Sequence, residues 1–273
     1  MIFEESSTVT HNPLVLISPA MGIGSRYYRP LAEAFAARGW QARALTRRGF
    51  EPDGVRASRT QDWSYDDEIG DMAVAVREAR AELPERPVIL LGHSLGAQIA
   101  AGHQLTRVPA DGMVTVGGCL PYHRHYPLGG PHLVLMGGVI VPVLTGLFGY
   151  LPKPAFGGPG ARTLMREWGR MAVTGRTPYP AEAPIASPAL LIALDGDRLA
   201  PAPAVERFGE RLFAPEGVTN WVYRNEDVPE GASNDHIYWV KSPEPVVRRI
   251  AEWWSAARSP MSGHERPNTD SLT

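Results

Sequence analysis

The sequence has a single cysteine, Cys119, so it can form no internal disulfide and build no cysteine-based zinc site. It has no excess of either charge sign: 27 Lys and Arg stand against 29 Asp and Glu, a net charge of -2. That balance excludes the basic footprint of a nucleic-acid-binding protein and gives no electrostatic draw to an anionic surface. The basic pairs Arg47-Arg48 and Arg248-Arg249 read as ordinary surface features. The opening MIFEESSTVTHNP has neither the basic nor the apolar region of a signal peptide, and a cytoplasmic protein is expected. Leu133 to Leu151 carries no charge. No internal repeat is present.

Apolar residues make up 44% of the 273, and charged residues 21%, which is globular usage. A chain of this size buries roughly three quarters of its unfolded surface and needs no covalent or metal staple. Short continuous apolar runs at Leu14–Ile17, Val88–Leu91 and Ala189–Leu194 mark strands buried on both faces. Gln41–Leu45, Met113–Val116 and Trp221–Tyr223 are weaker strand candidates. Helical patterns lie between them. Tyr27 to Ala37 carries Leu31 and Phe35 on one face, with Gly39 at its end. From Ser64 to Leu83 the residues Ile69, Met72, Val76, Ala79 and Leu83 recur at spacings of three and four, and Ser64 with Asp67 fits a capping box. Val205, Phe208 and Leu212 mark a later helix; Val246, Ile250, Trp253 and Trp254 mark the last. Strands alternating with helices predict an α/β fold, a mostly parallel sheet with helices on both faces. The alternation stops from Pro121 to Pro184, where Gly, Pro and aromatics are frequent. The expected organisation is a core over 1–120 and 185–258, an inserted cap over 121–184, and a disordered tail over 259–273.

In such sheets chemistry sits beyond the carboxyl ends of the strands. Directly after the run ending at Leu91 stands Gly92-His93-Ser94-Leu95-Gly96, a G-x-S-x-G. With 28 glycines in the chain the bare pattern arises by chance often enough that context must support it. Here a buried strand precedes it and a small-residue helix (Gly96, Ala97, Ala100, Ala101) follows. That is the context of a nucleophile elbow, where a strained turn exposes the serine hydroxyl at a helix N-terminus.

At this motif the chain resembles the α/β-hydrolase superfamily, over about Leu14 to Ala257. Ser18-Pro-Ala-Met-Gly22, then Tyr27-Tyr-Arg-Pro30, with Gly92-His-Ser-Leu-Gly-Ala-Gln98, is similar to a bacterial group of hydrolases akin to serine esterases, lipases and thioesterases. The resemblance implies an α/β-hydrolase fold with a helical cap before the strand that precedes the acid, a catalytic order of Ser, acid, His, and no cofactor. Of eight histidines only His236 and His264 follow the late strands, and His236, in Ser233-Asn-Asp-His-Ile237, stands where the resemblance places the base. Asp195-Gly-Asp197-Arg-Leu-Ala-Pro201 resembles the acid stretch Gly-x-Asp-x-x-x-Pro and selects Asp197, with Asp195 as the other candidate. The oxyanion donors implied are the backbone N–H groups of Leu95 and of Met21. Pro19-Ala20 replaces the His-Gly of many relatives at that loop. Only 13 residues precede the first buried strand, where many relatives carry two more strands.

His93 reads as packing or hydrogen-bonding, His103 as structural and Cys119 as a buried inert thiol. Tyr122 and His123 are candidates to line the entrance and contact substrate; with no carboxylate beside His123 and His125, a metal is not expected. Leu133 to Leu151 is long enough for a membrane span but holds four glycines and Pro142. A buried helix, or two broken at Pro142, is expected, with contact to a lipid interface as the alternative. Trp168 and Met165 could extend an apolar lining.

The expected activity is cleavage of a partly apolar small-molecule ester or thioester through an acyl-enzyme on Ser94. Acyl transfer on the same residues, or a non-catalytic binding protein that kept the fold, stay open. The serine at 94 argues against relatives with an aspartate nucleophile.

Overall fold

In a computed structural model the chain is described over residues 12–258. The expectation of a disordered tail over 259–273 lies outside the described residues. Six strands form one all-parallel sheet: β1 Leu14–Ser18, β2 Gln41–Ala44, β3 Val88–His93, β4 Gly112–Val116, β5 Ala189–Leu194 and β6 Val218–Tyr223, in the order β2-β1-β3-β4-β5-β6. Parallel neighbours require crossover connections, and helices supply them. These are α1 Arg29–Ala36, α2 Tyr65–Glu82, α3 Leu95–Thr106 and α7 Ala202–Leu212, while α8 Glu244–Arg258 follows β6 and closes the chain. The insertion between β4 and β5 carries α4 Pro131–Leu135, α5 Val141–Phe148 and α6 Arg162–Thr174.

Burial follows strand position. β1, β3, β4 and β5 are buried at every residue, and these include the continuous apolar runs of the sequence. β2 is an edge strand and alternates exposed with half-buried residues; Arg43 points outward and pairs with Glu82 of α2. The two-residue side-chain period divides the core into two layers. Leu14, Leu16, Leu90 and Leu191 pack with α2, α3 and α7, while Val15, Ile17, Leu91 and Ile192 pack with α1 and α8. The Ser64–Asp67 capping box is formed in both directions and starts α2.

The chain runs from β1 outward to β2 and returns to β3 on the other side of β1. The order therefore reverses between β1 and β3, whose ends Ser18 and Gly92 are register partners. Loops leaving these two carboxyl ends diverge and open a crevice, the usual place for a ligand. Close backbone approach fixes it. A Cβ on Gly96, in the first turn of α3, would lie 2.0 Å from the Ser18 carbonyl oxygen.

Two expectations need correction. Arg47 is not a surface residue: it is fully buried and its guanidinium bonds Glu68 of α2 at 2.8 Å and the Pro19 carbonyl. The pairing is invisible in sequence because the partners are 21 and 28 residues away. The run 133–151 is neither a buried helix nor one broken at Pro142. α4 and α5 are joined without a break by a π turn over Met136–Ile140. That wider turn accommodates the missing proline N–H. Only Leu133, Gly137, Val141 and Thr145, one residue per turn, are well buried along the helix; Met136, Ile140 and Leu144 beside them are half-buried, and the remaining side faces outward.

Gly96→Ala is expected to cost about 1–3 kcal/mol because the new methyl meets backbone. Gly70→Ala, in α2 with nothing within 4 Å, is expected to gain up to about 1 kcal/mol from helix propensity. Urea midpoints moving in opposite directions would bear this out.

Candidate active site

Ser94 joins β3 to α3 with φ 53 and ψ -117, a region that favours glycine. Its N–H bonds the Val116 carbonyl at 3.0 Å and its carbonyl accepts from Ala97 N–H at 3.0 Å. The turn tolerates this only because its flanks are glycine: a Cβ on Gly92 would come 2.4 Å from the Ala97 Cα. The serine is thus held at the helix N-terminus, facing a cavity of about 290 Å³.

His236 lines the same cavity, and its Nδ1 lies 2.6 Å from Asp197 Oδ2. The other carboxylate oxygen accepts from the Leu199 and Ala200 N–H groups at 2.7 and 3.0 Å. Burial alone would raise the Asp197 carboxyl, but the His236 ring and these donors outweigh it and hold the carboxyl below its usual range. An ionised carboxylate can only accept, so Nδ1 keeps its proton and donates it in the hydrogen bond, which leaves Nε2 as the acceptor. Asp195, the other acid candidate, is exposed and bonds Asn225 at 2.9 Å. Gly117, at the end of β4 with φ +56, makes room for the pair: a Cβ there would sit 3.0 Å from the His236 ring.

The residue before the serine links the loops around it. His93 is fully buried, and its Nε2 lies 2.7 Å from the His236 carbonyl oxygen. A carbonyl can only accept, so Nε2 carries the proton; Trp239 Nε1, 3.3 Å from the same nitrogen, is then a packing contact. Nδ1 accepts from the Tyr28 hydroxyl at 2.7 Å, and that oxygen accepts from Ala20 N–H at 2.7 Å. The Ala20 N–H is therefore spent. The N–H groups of Met21 and Leu95, which both line the cavity, have no acceptor among the described residues.

The insertion closes the cavity with Leu133, Met136, Phe156 and Trp168; the Phe156 and Trp168 rings meet at 5.1 Å. Tyr126 and Cys119 also line it, the tyrosine hydroxyl donating to the Leu199 carbonyl at 2.7 Å. The Cys119 thiol is buried, which pushes its pKa up to about 12. The structure brings Ser94, His236, Met21, Leu95 and Trp168 together around this space, with Asp197 behind His236 on its Nδ1. It does not bring Tyr122 or His123 there. Tyr122 packs on Gly175, where a Cβ would come 2.9 Å from its ring, and His123 Nδ1 lies 3.0 Å from the Gly129 carbonyl oxygen. The short 3-10 turn over His123–His125 directs them away, and Pro121 and Tyr126 on either side line the cavity instead. Met165 lies outside the lining, against Gly160. Sequence reasoning missed Tyr28, Gly117, Met136 and Phe156. An aromatic pair Tyr27-Tyr28 and a glycine pair after β4 were the only traces of the first two.

A parallel six-stranded sheet with a strained serine at the end of β3 defines an α/β-hydrolase. The family model described as serine aminopeptidase, S33, matches residues 10–149, just over half of the 273, and the chain belongs to this α/β-hydrolase family. No curated protein matches it. Among solved structures it is similar to a soluble variant of monoglyceride lipase from Saccharomyces cerevisiae, with 13% identity over 93% of this chain and 89% of that one and a TM-score of 0.64. It is also similar to the monoacylglycerol lipase of Paleococcus ferrophilus (20%, covering 90% and 96%, TM-score 0.55) and to the type II thioesterase BorB of the borrelidin biosynthetic cluster (19%, 89% and 92%, 0.56). At these identities the likeness is one of fold.

The neutral, buried His93 makes stability depend on pH. Burial lowers its pKa to about 3 from 6.5. Below pH 6.5 the unfolded chain binds a proton that the folded chain refuses, so this group costs about 1.4 kcal/mol per pH unit down to about pH 3. His103, lowered to about 4 by burial, adds to the same window. Asp197 acts lower still: its depressed carboxyl contributes stability above the ordinary carboxylate pKa that is lost as pH falls through the folded value. Urea midpoints are expected to decline steeply from pH 6.5 to 4, and less steeply in His93→Gln; parallel declines would exclude His93 as the cause.

Proposed function

We propose that the protein is a serine hydrolase that cleaves a carboxylic ester or thioester with an apolar part. The observation that carries this reading is the convergence, on one apolar cavity, of a strained serine, an imidazole held by a carboxylate and two unclaimed backbone N–H groups. Chance places a glycine-flanked serine in a turn. It does not place all four in one space.

In this reading Ser94 Oγ attacks the carbonyl carbon while His236 Nε2 takes the hydroxyl proton. Asp197 keeps the Nδ1 tautomer and stabilises the imidazolium. Negative charge that develops on the carbonyl oxygen is met by Met21 and Leu95 N–H, preset and free of other partners, at the positive end of α3. Collapse of the tetrahedral intermediate breaks the bond to the alcohol or thiol, which leaves with the proton from His236. Water, activated by the same imidazole, then releases the acid from Ser94. No step needs a cofactor. The segment 121–184 serves as the cap: Leu133, Met136, Phe156 and Trp168 give the substrate's chain an apolar roof and keep water from the acyl-enzyme. The lipase and thioesterase relatives act on substrates of this kind by name, which supports the class.

A fluorophosphonate is expected to add once to the wild-type chain by intact mass and not to Ser94→Ala. Asp197→Asn is expected to lower kcat on a soluble aryl ester by about 10³–10⁴-fold with KM little changed, since it upsets the tautomer and not the cavity. A folded wild type that takes up no label would sink the proposal.

A further inference from the structure

We infer that the outward side of the helix formed by α4, the π turn and α5 docks on an anionic lipid bilayer. This helix contains the one stretch among the described residues long and apolar enough to cross a membrane, with a mean hydropathy of 1.8, yet only 22% of that window is buried. Leu135, Val139, Val143 and Leu147 recur every four residues and are 53%, 51%, 50% and 65% exposed. Phe148 extends the stripe, and Leu128 stands fully exposed just before the helix. On an ordinary surface helix these positions are polar. A continuous stripe of this kind marks a contact surface.

The opposite side shows that the helix lies along a bilayer and does not span it. Leu133, Gly137, Val141 and Thr145 are buried, and Gly137 meets Gly169 of α6 so closely that a Cβ on either would come within 2.7 Å of the other's carbonyl oxygen. Crossing would break that seam. Seating the outward stripe in the headgroup region leaves it intact.

Charge selects the occupant. No Asp or Glu occurs between Asp111 and Glu167. Two exposed arginines flank the helix: Arg59 donates to the Leu147 carbonyl at 3.0 Å and Arg166 to Thr145 Oγ1 at 2.9 Å. An apolar stripe on an acid-free stretch of chain, with two exposed cations bonded to its helix, fits anionic headgroups. A second copy of the chain meeting this one helix to helix would set the same cations against each other. The surface also adjoins the cavity, because Leu133 and Met136 of the same helix line it beside Ser94. Docking itself does not depend on the hydrolase reading.

The test is flotation of the full chain with vesicles of phosphatidylcholine alone or with about one third phosphatidylglycerol. Wild type is expected to float with the anionic vesicles, more weakly with neutral ones, and less as salt is raised. The double variant Val143→Glu, Leu147→Glu is expected to lose at least about tenfold in partitioning, with its circular dichroism and its fluorophosphonate labelling unchanged. No flotation of wild type on either vesicle overturns the inference, as does undiminished flotation of the double variant. A wild-type dimer that the double variant turns to monomer, without vesicle binding, assigns the stripe to a second copy instead. Labelling without flotation leaves the hydrolase reading standing and removes this one; flotation without labelling does the reverse.

Discussion

One hydrogen-bonded chain holds the site in register. It begins at the buried Glu68–Arg47 ion pair, passes to the Pro19 carbonyl, crosses the Pro19–Ala20 peptide to the Tyr28 hydroxyl, and continues through the His93 ring to the His236 carbonyl. Each link polarises the next in a low-dielectric interior. The chain touches the loop after β1, the residue before the serine and the loop after β6, which come from three separate parts of the sequence. A buried ion pair is weak evidence for stability in itself. Here it orients a peptide, and the peptide orients a histidine.

The same chain settles which N–H of the first loop is free. With Ala20 committed to Tyr28, Met21 is the donor left facing the cavity. The departure from a His-Gly loop therefore needs no special device. Sheet order does the remaining work, because the reversal between β1 and β3 brings this loop and the elbow together at one crevice.

Much of this was legible from residues close in sequence. The apolar runs marked the central strands because full burial leaves no room for alternation, and Ser64 with Asp67 marked a helix start because capping is local. The elbow was legible for the same reason: its glycines answer to backbone within a few residues. What failed was non-local. Arg47 was misread because its partners lie in α2 and after β1, and Tyr28 was overlooked because nothing near it requires a hydroxyl. The run from Leu133 was misread in another way. Its apolar residues predict burial when the alternative solvent is water, and on this helix most of them face outward.

Ser94 carries a consequence of its backbone. At φ 53 a side chain is a liability, and the relief that glycine would bring is available through a single codon change. Selection on stability alone would drift toward that change. The molecule is therefore less robust at this point than its fold allows, and the strain falls on a residue that lines the cavity.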